Sequence, residues 1–199
     1  MKIREITSQE SQKQNLDAWC YEVGTRFQHM SVEAAKEFAN YISHVDPKEK
    51  LNWSHIIDLG SGDGAGTNAL IDSGFDVTAV DINRHKLERN TGANLAQKNI
   101  LEYVTDASFL PHIFTHHSLE HTVDAPEIIQ NIGIKMNEGY FYYATVPAED
   151  YLHSVHHVVF ESPEELLPPR CEPILLEQRT RYDGENNAEK EFVCLARKK

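Results

Sequence analysis

Residues 55 to 70 read HIIDLGSGDGAGTNAL: an apolar run, glycines at 60, 62, 64 and 66, then a helix-like segment. A strand that ends in glycines and enters a helix brings bare backbone N–H groups close to whatever lies at its end. Gly60, Gly62 and Gly64 carry no β-carbon, so a ligand can rest directly on the main chain. The next strand-like run, FDVTAV, leads to Asp81, about one crossover unit further on, where a carboxylate can accept from two ribose hydroxyls. Glycine loop and ribose acid together point to an adenosine-containing cofactor.

The surrounding pattern alternates in the same way. SVEAAKEFANYISHVDP predicts a helix with Val32, Ala35, Phe38 and Ile42 on one face, Ser31 at its start and Asp46-Pro47 at its stop. A second, weaker helix is expected within residues 8 to 23, with Leu16, Trp19 and Val23 on one side. After the glycine loop, GTNALIDSG predicts a helix capped by Gly74, and another is expected within residues 83 to 97. LEYVTD, IFTHH and YFYYATVP read as strands, and DAPEIIQNIGIKMN as a helix with Pro126 in its first turn. Alternating strands and helices imply crossover units and a parallel α/β sheet. The tail differs: SPEELL suggests a capping box from Ser162 to Glu165, and EPILLEQRTRY and KEFVCLARK flank a short turn-rich loop, the pattern of an antiparallel hairpin.

The loop alone leaves the cofactor open, because GSGDGA also satisfies the dinucleotide pattern of nicotinamide enzymes. Three features favour something else. Asp58, two residues before the first glycine, suits an ammonium group and would repel a pyrophosphate. Asp106, in VTDASFL, is expected to end a third strand, where a carboxylate can accept from an adenine amino group. The chain closes with a hairpin in place of a second mononucleotide-binding half.

IIDLGSGDGAG, VTAVDIN, VTDASFLP and HHSLEHTVDAPEIIQNIGIKMNEGYFYYATVP together resemble the class I S-adenosylmethionine-dependent methyltransferases, in particular the small-molecule branch with LEH after the fourth strand. The resemblance runs from about residue 50 to 199. It implies a Rossmann-like, seven-stranded, mostly parallel sheet with helices on both faces and a C-terminal antiparallel hairpin. It implies one domain over residues 1–199, with 1–50 as an N-terminal helical cap and 51–199 as the cofactor-binding core. S-adenosyl-L-methionine is the implied cofactor. By position Asp58, Gly60, Ser61 and Gly62 take its methionine end, Asp81 its ribose, Ile82 the adenine face, and Asp106 with Ala107 the adenine edge; the backbone at His116 faces the ammonium group. Two features depart from the pattern: MNEGY carries one glycine where the family has a pair after a proline, and Gly133 interrupts a helix.

A sulfonium methyl group is already activated, so the protein must chiefly align an acceptor and exclude water. A general base helps where the acceptor carries a proton. Seven of the 11 histidines fall in two segments, at 112, 116, 117 and 121 and at 153, 156 and 157. His121, preceded by Glu120, is the expected base; His153 and His156 stand in reserve. Trp19 and Tyr21 are expected in helix core before a substrate pocket. No metal site is expected, since His156 and His157 show no third ligand at a nearby spacing.

The net charge of −12, from 31 acidic and 19 basic side chains, opposes binding along nucleic-acid phosphates, and RHKLER reads as a solvated helix face. The Asn/Asp-Pro-Pro-aromatic and Pro-Cys motifs of DNA-modifying relatives are absent from the sequence. A small-molecule substrate is expected, with no DNA partner. Cys20, Cys171 and Cys194 show no CxxC spacing, and no signal peptide or membrane span is read, so a cytoplasmic location is expected. The rival readings are a nicotinamide-dependent oxidoreductase and a non-catalytic cofactor-binding module.

Overall fold

Residues 1–3, 28–45, 54–89, 92–149, 156–183 and 185–199 are described in the structure, a computed structural model. A short strand β1 (Lys2–Ile3) precedes helix α1 (Gln28–His44), β2 (His55–Leu59), α2 (Ala65–Asp72), β3 (Asp76–Asp81) and α3 (Arg84–Leu87). Then come β4 (Asn94–Gln97), α4 (Ile100–Asp106), β5 (His112–His116), a 3₁₀ turn (Leu119–His121) and α5 (Ala125–Lys135). The chain ends in β6 (Phe141–Pro147), β7 (Val158–Val159), a second 3₁₀ turn (Pro163–Leu166), β8 (Cys171–Tyr182) and β9 (Ala188–Lys198). Seven strands form one sheet in the order β4-β3-β2-β5-β6-β9-β8. Strands β2 to β6 are parallel, and β9 runs antiparallel to both of its neighbours. The expected mostly parallel sheet with a reversed hairpin is therefore what the chain forms. A separate pair joins β1 to β7, which nothing in the sequence pattern announced.

Successive side chains of a strand point to opposite faces, and a parallel sheet must have both faces covered. Ile56 points to one face with Phe114 and Tyr143, under Ala35, Phe38 and Ile42 of α1 and Leu70 of α2. Ile57 points to the other with Ile113 and Tyr142, under Val104 of α4 and Ile128 and Ile132 of α5. Each such side chain removed from water contributes about 1.5–3 kcal/mol. Helix α1 thus belongs to the sheet's own packing, although it falls in the segment expected to form a cap. It begins at Gln28, so Ser31 lies inside the helix and not at its start. Ser31 instead faces Gly66, whose absent β-carbon would sit 2.8 Å from the Ser31 hydroxyl. The helix expected within residues 8 to 23, with Trp19 and Tyr21, lies outside the described residues.

Three local expectations are corrected. The helix expected within 83 to 97 is one turn, α3, and the third parallel strand is Asn94–Gln97. LEYVTD, expected as that strand, is helix α4. Asn99 decides the outcome, because its side chain accepts from the Leu101 N–H at 2.8 Å and caps the helix. The β-branched and aromatic residues of LEYVTD pointed the other way, and NLAQ has no β-branched residue because it is an edge strand with little to bury. The capping box also fails. Ser162 makes no side-chain cap, and Glu165 instead accepts from the Glu161 N–H at 2.8 Å.

Gly133 has a packing reason. A β-carbon there would lie 2.4 Å from the Pro169 carbonyl oxygen, so the chain entering β8 presses on bare backbone of α5. Gly133→Ala gains about 1 kcal/mol of helix propensity and meets that carbonyl at a cost of about 1–3 kcal/mol. Urea denaturation is expected to give a net loss on the order of 1 kcal/mol; a gain in stability means that the Pro169 segment yields freely.

Candidate active site

Strand order reverses between β2 and β5, since the chain passes from β2 outward through β3 and β4 and then returns to β5 on the other side. The loops leaving β2 and β5 diverge there and open a crevice at the carboxyl ends of the strands. Gly60, Gly62 and Gly64 have φ of 75°, 52° and 83°, a left-handed path that other residues adopt only under strain. The Gly60 and Ser61 N–H groups both donate to the Val80 carbonyl, at 2.8 and 3.0 Å, which fastens the loop to β3.

The glycines have different reasons. A β-carbon at Gly60 would meet the Ser118 hydroxyl at 2.4 Å, and that hydroxyl donates to the Gly60 carbonyl at 3.0 Å. The bare space at Gly60 is therefore filled by the turn after β5, contrary to the expectation that it is kept for a ligand. At Gly62 nothing lies within 4 Å of such a carbon. Gly62 is the position that faces open space.

Asp81 ends β3 and binds the loop directly, accepting from the Gly62 N–H at 2.9 Å and from the Asn83 N–H at 2.8 Å. Ile82 beside it is 48% exposed, a large apolar side chain left uncovered at the crevice. Asp58 is buried at the end of β2, where Thr67 donates to it at 2.5 Å. Burial pushes its carboxyl up to about 7, the Thr67 hydrogen bond opposes this, and the Asp81 charge adds to it. The Ser61 hydroxyl is buried with no hydrogen-bond partner.

Asp106 and Ala107 are not at a strand end. Asp106 closes α4 and pairs with Lys98 at 2.7 Å, which holds its carboxyl below the ordinary value, and Ala107 is the residue after the helix. Asn99 and Ile100 follow β4 instead. The Ile100 side chain reaches to 3.4 Å from the β-carbon position of Gly60, which places this turn beside the glycine loop. The signal that could have found them was an asparagine immediately before a helical apolar spacing.

At the end of β5, His116 is buried, its Nδ1 2.6 Å from the Thr145 hydroxyl and its Nε2 without a hydrogen-bond partner. Burial and the neighbouring His117 hold its pKa well below the ordinary value. His112 lies at the opposite end of the same strand, stacked on Phe141, and takes no part in the crevice. The 3₁₀ turn brings Glu120 and His121 together with His156: His121 Nε2 is 3.8 Å from Glu120 Oε1, and the two imidazole rings stand 4.9 Å apart. Glu149 accepts or shares the His156 Nδ1 proton at 2.7 Å. Burial raises the Glu120 carboxyl, with the charges of His117 and His156 opposing. His153 lies outside the described residues.

A charged network missed from sequence braces this edge. Glu191 of β9 accepts from Arg179 at 2.9 Å and Arg181 at 2.8 Å, and His117 lies 3.3 Å away. Arg179 also grips both oxygens of Glu37 on α1, at 2.7 and 2.8 Å. Burial would raise the Glu191 carboxyl, but the His117 hydrogen bond and the charges of His117 and Arg181 hold it far below its ordinary 4.5. Such a group stabilises above the unfolded value, and that stabilisation fades as pH falls below about 4.5. Glu191→Gln is expected to lose about 3 kcal/mol at pH 7 in urea denaturation, with the gap to the parent protein closing below pH 4.5. A constant gap at all pH values sinks the electrostatic account.

No family model and no curated protein matches this sequence. Solved structures do match the fold. The plantazolicin methyltransferase BpumL, in complex with S-adenosylhomocysteine (SAH), aligns with a TM-score of 0.69 and 12% identity over 96% of this chain and 92% of that one. The 1,6-didemethyltoxoflavin-N1-methyltransferase of Burkholderia thailandensis, with 1,6-didemethyltoxoflavin and SAH bound, aligns with a TM-score of 0.66 and 18% identity over 100% and 93%. TehB from Haemophilus influenzae aligns with a TM-score of 0.60 and 20% identity over 78% of this chain, which spans only 61% of TehB. The fold is that of the class I S-adenosylmethionine-dependent methyltransferases.

Proposed function

We propose that the protein transfers a methyl group from S-adenosyl-L-methionine to a small-molecule acceptor by in-line displacement. The observation that carries this reading is the Asp81 carboxylate joined to the Gly62 N–H at the strand-order reversal, with open space at Gly62 and Ile82 uncovered beside it. The residues present fit the cofactor. Asp81 takes the ribose hydroxyls, Ile82 the adenine face, and the Asn99-Ile100 turn stands where Asp106 and Ala107 were expected. The methionine end lies over Ser61 and Gly62, with the buried Ser61 hydroxyl and the His116 backbone nearby and Asp58 answering the ammonium group. S-adenosylmethionine supplies, when bound, a methyl group already activated as a sulfonium substituent. A pyrophosphate in place of the ammonium group would meet Asp58 as repulsion, which disfavours a nicotinamide cofactor. Glu120, His121 and His156 are assigned to the acceptor and its proton, where it has one. The −12 charge disfavours DNA as that acceptor. Among the described residues no helix is long and apolar enough to cross a membrane.

Calorimetry with SAH tests the cofactor. Asp81→Ala is expected to weaken binding by about 1–3 kcal/mol, since a buried ribose loses its charged acceptor. Affinity for the parent protein is expected to rise from pH 6 to 8, because the Asp58 carboxyl at about 7 must ionise to meet the ammonium group. Asp58→Asn should flatten that rise. Unchanged affinity in Asp81→Ala overturns the ribose assignment.

The acceptor side is read by turnover. Once a metabolite panel yields a substrate, His121→Ala is expected to lower turnover by about 100-fold or more while SAH affinity changes little. Full turnover in that variant removes His121 from the reaction.

A further inference from the structure

Glu120 stands out among the buried groups. Its side chain is 3% exposed, and neither carboxylate oxygen has a hydrogen-bond partner. A buried carboxylate without hydrogen bonds is costly, and native proteins rarely keep one unless something else meets it. Its neighbours include the imidazoles of His121 and His156, and the charge of His117 also acts on it. One ligand atom each from Glu120, His121 and His156 lies within 4.8 Å of the others, so a single centre can reach all three. His156 has its Nδ1 engaged by Glu149 at 2.7 Å, which fixes the ring. A carboxylate behind a histidine in this way orients the ring and raises its basicity toward an ion.

We propose that Glu120, His121 and His156 bind a divalent first-row transition ion of the zinc type, with Glu149 as the positioning carboxylate behind His156. Two imidazoles and one carboxylate suit Zn2+ or its near neighbours better than Mg2+ or Ca2+, which prefer oxygen donors. Three protein ligands leave a position open, and one carboxylate against a dication leaves a net positive charge there. That combination accepts an oxygen donor, so the acceptor class is a hydroxyl compound. This role rests on the methyltransferase reading, whereas the binding of the ion does not. The ion lowers the pKa of the acceptor hydroxyl, whose proton leaves to water. The new O–CH3 bond then forms as the C–S bond breaks with its electron pair on sulfur. His121 acts as a ligand in this scheme, and the ion takes over the removal of the proton. His156 lies 36 residues after Glu120, a separation at which no spacing rule suggests a ligand set.

The test uses the full chain stripped with EDTA and titrated with Zn2+ by calorimetry, with Co2+ absorption as an optical check. One equivalent is expected to bind with submicromolar affinity, and Co2+ is expected to give the visible bands of a site of low coordination number. Glu120→Gln and His156→Asn, with folding checked by circular dichroism, are each expected to weaken Zn2+ by about 100-fold or more. His29→Gln, at an exposed position on α1, should leave it unchanged. SAH is titrated into the same stripped sample. Zn2+ binding without SAH binding upholds the site and overturns the methyltransferase reading alone. SAH binding with no saturable Zn2+ or Co2+ binding by the parent protein overturns the site. Full Zn2+ affinity in a folded Glu120→Gln/His156→Asn double variant also overturns it, because the ion then sits elsewhere, such as at His116, His117 and Glu191.

Discussion

Everything at the crevice depends on one close approach, that of Ser118 to Gly60. The turn after β5 occupies the volume that any other residue's side chain would fill at the end of β2, and the Ser118 hydroxyl closes the gap onto the Gly60 carbonyl. Two loops that leave the sheet in different directions are thereby locked at a single point. The glycine loop then takes its left-handed path with the Gly62 N–H donating to Asp81, and Glu120 and His121 follow within a few residues on the other side. A side chain at Gly60 would part the two halves before it disturbed any ligand.

The same economy explains why glycines crowd this loop. Gly66 admits Ser31 of α1 and the edge of Phe114, Gly60 admits Ser118, and Gly62 opens outward. One short stretch settles how close the helix lies, how the two loops meet and where a ligand fits. Asp58 and Thr67 form the buried floor beneath it, so the loop stands on a hydrogen bond between its strand and its helix.

Much of this was legible in the sequence, for identifiable reasons. The alternation of apolar runs with helical spacings gave the parallel sheet, because strands covered on both faces must be apolar throughout, as in HIIDL and YFYYATVP. The reversed hairpin followed from its short polar loop. Propensity misled where burial was weak: the edge strand Asn94–Gln97 has no core to fill, and one capping asparagine turned LEYVTD into a helix. Asp106 left the site with that strand. Gly133, which looked like a flaw in its helix, proved to be the place where the Pro169 segment seats. The network of Glu37, Arg179, Arg181 and Glu191 could not be read, because its members are spread over 155 residues from α1 to β9 and meet only through the sheet.

The position of β9 has a consequence for how the protein comes into being. It follows β8 in sequence, yet it lies inside the sheet, between β6 and β8. A chain emerging from the ribosome presents β2 to β6 with an open edge, and β8 must wait beside a gap that its own successor will fill. Until β9 arrives, Arg179 and Arg181 have no Glu191 and His117 has no partner on that strand. Pairings this distant in sequence close late in folding. Synthesis and competence are thus separated in time: the crevice is built first and electrically completed last, so a nascent chain carries the outline of the site before it carries the site.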